Sequence, residues 1–184
     1  YRMFGFTDPQ GVLYAKIAQQ YSEDVAGMIG EKLLQGYVMG WNPRKIAYWL
    51  SKSLTSGIGQ GLNWAMTTAR TASLWSYRAA THANYMANSN VVQGWIWYAF
   101  LGDGRACMSC VAKHGSVHAV TEVLADHHRG RCTAIPITAS YAQLGIEGID
   151  EPRLEIQSGE AWFKKQPAAA QRQMMGAGKW QAWK

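Results

Sequence analysis

The chain changes character at Asn88-Ser89-Asn90, and that change limits what it can fold into. Before it, Leu62, Met66, Ala69, Ala72, Trp75, Ala79, Ala83 and Met86 step by three or four residues. Such spacing draws one apolar stripe along a helix from about Leu62 to Ala87. After it, Val91, Val92 and Trp95 to Phe100 make a nearly continuous β-branched and aromatic run, the pattern of a strand buried on both faces. A single switch of period in this direction predicts an α+β fold: an N-terminal helical half, then a small sheet-containing module.

Local chemistry divides the chain further. Asp8-Pro9 and Asn42-Pro43 each place a capping side chain before a proline suited to a first helical turn. The first opens a segment reaching about Gly27–Gly36, with Leu13, Ile17, Tyr21 and Val25 on one side; the second opens a short helix through Leu50. Gly57, Gly59 and Gly61 break the chain before the long helix. Further strands are expected at Ser116–Val120 and Thr133–Ile137. The C-terminal stretch reads as an irregular, basic tail with helical pieces at Glu160–Lys165 and Pro167–Met175. Three regions follow: a helical segment over 1–90, a Cys/His module over 91–140 and the tail over 141–184.

Chemistry concentrates between Asp103 and Cys132. All three cysteines of the chain fall there: Cys107 and Cys110 in a CxxC, and Cys132 after His127 and His128. Two residues between thiols let both sulfurs of one turn face a single tetrahedral ion. His127 or His128 with Cys132 would complete a Cys3His set for Zn2+. That set has no open position, so it points to a structural rather than a catalytic metal. A disulfide between two of the three remains an alternative. A thioredoxin-like site would need a βαβ setting, and a zinc deaminase a His-x-Glu before a Pro-Cys-x-x-Cys; neither pattern occurs. His82, His114 and His118 read as packing or surface histidines.

Charge is scarce and uneven. Charged residues are 16% of the chain, against roughly 25% in an average soluble domain. Nine Trp, nine Tyr and eight Met then suggest surface that is covered within an assembly. Net charge is +6, and no Asp or Glu occurs from Lys32 to Gly102. Arg44, Lys45, Lys52, Arg70 and Arg78 all lie in that stretch, which favours a polyanionic partner and makes them the candidate nucleic-acid contacts. No segment approaches the roughly 18 consecutive apolar residues of a membrane span.

Taken in order, Ala69-Arg70-Thr71, Trp95 and Trp97, Asp103-x-Arg105-x-Cys107-x-x-Cys110, Gly115, and His127 to Arg131-Cys132 resemble the phage Mu F-type head-morphogenesis proteins of tailed bacteriophages. Gly159-Glu160-Ala161-Trp162-Phe163 with Gln166, Gln171, Met175-Gly176 and Lys179 is similar to that family's C-terminal segment. The likeness spans about residues 30 to 180. Three positions depart from the family pattern: Ala72 stands for a Glu, Gly130 for the first closing Cys, and His128 for a Pro. Aligned on Arg131-Cys132, the metal set is Cys107, Cys110, His127 and Cys132. The resemblance implies a minor capsid protein bound to the portal inside the head and present in the host cytoplasm during assembly. Double-stranded DNA is then a secondary, non-specific partner, and no catalytic residues carry over. A small metal-dependent nuclease using Asp126 with His114, His118, His127 and His128, and a free DNA-binding module, are the alternatives.

Overall fold

The computed structural model describes residues 23–53, 62–152 and 155–183. The Asp8-Pro9 start, Leu13, Ile17 and Tyr21, and the three glycines at 57, 59 and 61 lie outside them. The element order is α1 (Glu23–Val38), α2 (Pro43–Ser53), α3 (Leu62–Ala87), β1 (Val92–Tyr98), α4 (Met108–Lys113), β2 (Val117–Ala119), β3 (Thr133–Thr138), α5 (Gly159–Lys164), α6 (Ala168–Met175) and α7 (Ala177–Trp183). This is the expected α+β arrangement. The described residues group into two compact units, those up to Thr81 together with 126–130, and those of 82–125 together with the ones from Arg131 on.

In the helical unit, local sequence sets where helices stop and start. Helix α1 ends at Gly40, which takes φ +63. The Trp41 amide then donates to the Gly36 carbonyl and the Gly40 amide to the Tyr37 carbonyl, the double bond of a Schellman turn. Two residues on, the Asn42 side chain accepts from the Lys45 amide at 3.0 Å and Pro43 occupies the first turn of α2. Gly36 lies inside α1 because α2 packs close: a Cβ there would sit 2.6 Å from the Ile46 side chain. Ile29, Leu33, Ile46 and Leu50 fill the core with Ala65, Ala69, Ala72 and Trp75 of α3. Each large aliphatic side chain buried this way contributes about 1.5–3 kcal/mol. The small-residue stripe of α3 is therefore interior as far as Trp75, while Ala83 and Met86 are exposed.

The second unit is built on an antiparallel sheet in the order β2-β1-β3. Trp95 pairs with His118 on one side and Pro136 on the other. Trp95, Trp97 and Ala99 point into a core with Leu101, Val111, Leu124 and Phe163. Ile96 and Tyr98, on the other face, are only half-buried, so β1 has one fully buried face rather than two. Gly94 permits the tight approach of β2, since a Cβ there would lie 2.7 Å from the His118 carbonyl oxygen.

The tail is more ordered than its composition suggests. It holds three short helices, α7 being unforeseen, and Phe163 belongs to the core. Helix α5 docks through backbone: Gly159 donates to the His114 carbonyl, and a Cβ at 159 would collide with the Val111 carbonyl oxygen at 1.7 Å. The Gln171 side chain donates to the Phe163 and Gln166 carbonyls and accepts from the Trp180 indole, joining all three helices. A single buried amide and a bare glycine leave no periodic apolar signal, which is why the pattern read as irregular.

Candidate metal centre

Helix α4 positions the first two thiols. Cys107 is its N-cap in extended backbone, and its sulfur accepts from the Cys110 amide at 3.4 Å. The two sulfurs are 3.4 Å apart, Cys107 exposed and Cys110 buried. Cys132, buried immediately before β3, brings its sulfur within 4.8 Å of that of Cys110. All three cysteines are free thiols. A tetrahedral ion with Zn–S bonds of about 2.3 Å holds its sulfurs about 3.8 Å apart, and this spacing suits it better than the roughly 2.05 Å of a disulfide. Cys107, Cys110 and Cys132 all belong to the second unit, and with the Cys110 sulfur close to each of the other two they form a cluster that could hold a metal ion such as zinc.

Two charged residues of the motif clamp the same module. Arg131 donates two hydrogen bonds to the Asp103 carboxylate, one of them at 3.1 Å. This holds the Asp103 carboxyl well below the usual carboxylate range, at about 2. Asp103 also accepts from the Arg105 amide, so one side chain shapes its own turn and receives the far end of the loop. The Arg131 guanidinium interacts electrostatically with Cys110 and Cys132 as well. A divalent cation held by three thiolates would carry a net charge of −1, which a neighbouring cation offsets.

Residues 126–130 are fixed by the helical unit. Asp126 accepts from Arg78 at 2.8 Å, with side chains only 2% and 6% exposed. Arg78 also donates to the Gly130 carbonyl, and the Arg129 amide donates to the Thr71 hydroxyl. Arg129 has φ 59, uncommon for a residue with a side chain. At Gly130 a Cβ would stand 1.9 Å from the Asp126 carboxylate, so a side chain there would have to displace that carboxylate. His128 packs edge-on against Trp75. His127 is the exposed one, and its Nδ1 lies 2.8 Å from the His128 carbonyl. The other ring nitrogen, Nε2, lies 3.7 Å from the Asp126 carboxylate.

The expected phosphate contacts separate. Arg44, Lys45, Lys52 and Arg70 are exposed. Arg78 is buried against Asp126, which corrects its assignment: an acid close in space, though distant in sequence, takes it out of reach of phosphate.

Sequence reasoning also missed a chain of three polar side chains on the second unit. The Ser116 hydroxyl lies 2.8 Å from His118 Nε2, and His118 Nδ1 lies 2.9 Å from Glu122. The ring is stacked on Trp95 at 4.3 Å between centroids. The spacing is that of a nucleophile, base and orienting acid, but Ser116 already donates to the Lys113 carbonyl at 2.7 Å. The Glu122 carboxylate in turn accepts from the Ala119 amide, so the network ties β2 to the turn that follows it. His114 is buried beside Tyr98, and its Nδ1 accepts from the Ala99 amide; burial pushes its pKa below the ordinary value.

Comparison with known proteins finds no family model, no curated protein and no solved structure that matches the chain. Among the described residues no helix is long and apolar enough to cross a membrane.

Proposed function

We propose that this chain is a minor head-morphogenesis protein of a tailed phage, bound at the portal vertex inside the head, with a structural zinc-binding module at its centre. What supports the reading most is the way the two ends of the Asp-x-Arg-x-Cys-x-x-Cys to Arg-Cys motif meet. Asp103 pairs with Arg131, and Cys110 approaches Cys132. Residues that carried the family likeness as a string thus act on one another in space, as expected if the string encodes one closed loop. Assistance to assembly, DNA packaging or DNA delivery is the accompanying role, with double-stranded DNA as a secondary partner.

The finer ligand set is Cys107, Cys110, Cys132 and His127. A zinc there would fix the loop from Asp103 to Cys132 and supply folding energy. The nuclease alternative counts on Asp126 as a general base beside an open metal position, and the ion pair with Arg78 occupies that carboxylate.

Two preparations test the two levels. Procapsids isolated before DNA entry are expected to contain the chain, and the purified protein about one zinc per chain, lost in Cys132→Ser. Loss of zinc should open the 103–132 segment to protease. Absence from procapsids overturns the head-protein reading; absence of metal, with protease resistance indifferent to a chelator, removes the zinc and leaves the thiols as packing groups.

A further inference from the structure

Helix α2 has two unlike faces. Ile46, Ala47 and Leu50 are buried in the helical core. On the opposite side Arg44, Tyr48 and Lys52 follow at four-residue steps, with Lys45 and Trp49 beside them, all five exposed. Tyr48 keeps 55% of its surface and Trp49 45%, a large aromatic area to leave in water.

Cations and rings are interleaved on this face. Trp41 stacks on Trp49 at 5.7 Å between centroids, Lys45 Nζ stands 4.2 Å above the Trp41 ring, and Lys52 Nζ 5.8 Å from that of Tyr48. No acidic residue occurs between Lys32 and Gly102 in sequence. Among the described residues, no ion pair engages Arg44 or Lys45.

Such a surface distinguishes forms of nucleic acid. A duplex offers phosphates to Arg44 and Lys45, but its bases are already stacked on one another, and a convex helix face cannot reach between them. A single strand offers the same phosphates together with free base faces, and every base has one, so stacking on Tyr48 and Trp49 adds affinity without sequence preference. We propose that the exposed face of α2 binds single-stranded DNA, phosphates on Arg44 and Lys45 and bases on Tyr48 and Trp49. This deepens the DNA-associated part of the reading above, and rests on it only for the choice of DNA over RNA.

The test uses the full chain and fluorescence anisotropy of a labelled oligothymidylate, a duplex of equal length, oligouridylate and phosphatidylglycerol vesicles. Tyr48→Ala with Trp49→Ala should weaken oligothymidylate binding by about tenfold or more and duplex binding by no more than about twofold. Arg44→Gln with Lys45→Gln should weaken both, and flatten the single-strand log–log salt slope by about 0.7 for each phosphate that is no longer neutralised. The buried side of α2 is untouched in both variants, and unchanged circular dichroism checks that they fold. Duplex bound as well as or better than single strand, or an aromatic variant that binds normally, overturns the proposal. Preference for oligouridylate overturns the choice of DNA, and vesicle binding without oligonucleotide binding assigns the face to an anionic lipid surface instead. Procapsid occupancy is read separately, so failure here and failure of the head-protein reading remain distinguishable.

Discussion

Asp103 and Arg131 stand 28 residues apart and are joined by two charge-assisted hydrogen bonds across the mouth of the Cys-containing loop. The sign of their pH dependence follows from the direction of the shift. Asp103 titrates at about 2 in the folded chain against an ordinary 3.8, so the folded state binds that proton less readily than the unfolded one. The pair's contribution is complete above the ordinary value and fades as pH falls towards about 2. His114 acts in a higher window. Burial depresses its pKa, so below about 6.5 the unfolded chain takes up the proton first and folding loses stability on acidification. We expect NMR titration to place the Asp103 carboxyl near 2, and Arg131→Gln to return it towards 3.8. A wild-type carboxyl that already titrates at its ordinary value would show that the pair does not form in solution.

Among the elements, α3 carries the most information in its sequence and also the sharpest change of role along its length. Its apolar stripe is continuous from Leu62 to Met86, yet Ala72 is fully buried whereas Ala83 is exposed. The same enlargement should therefore have opposite weights at two positions on one helix. Ala72→Leu forces three extra carbons between α3 and its neighbours and should cost about 1–3 kcal/mol. Ala83→Leu should stay within about 0.5 kcal/mol of the parent. Denaturant midpoints measure both; equal effects would mean that the interior of the helical unit does not extend to Ala72.

For the molecule as a whole, Arg78 decides which unit holds the segment between Asp126 and Gly130. It reaches 48 residues along the chain to a carboxylate buried as deeply as itself, and it donates to the Gly130 carbonyl as well. Removing one partner of such a pair leaves the other charge uncompensated away from water. Arg78→Met should destabilise the helical unit by about 3–5 kcal/mol, and Arg78→Met with Asp126→Leu should recover most of that loss. A single variant costing less than about 1 kcal/mol would place both groups in water.

Much of this protein was legible in the sequence because it depends on neighbours within a few residues. The bounds of α3, the cap and proline that open α2, the strand at Val92 and the turn of the CxxC all follow from local periodicity, capping or turn chemistry. The cysteines too were legible as a group, since nothing else in the chain could partner them. What the sequence could not decide are contacts between distant segments. Arg78 sits in an acid-free stretch and reads as a phosphate contact, yet the fold delivers Asp126 to it. Nothing local calls for a glycine at position 130, and the Asp126 carboxylate beside it explains the missing side chain. Helix α5 meets α4 through a glycine, a contact with no apolar period to announce it. Spacing along a chain encodes the faces of single elements; which buried charge meets which, and which backbone must come close, is settled only when those faces are packed together.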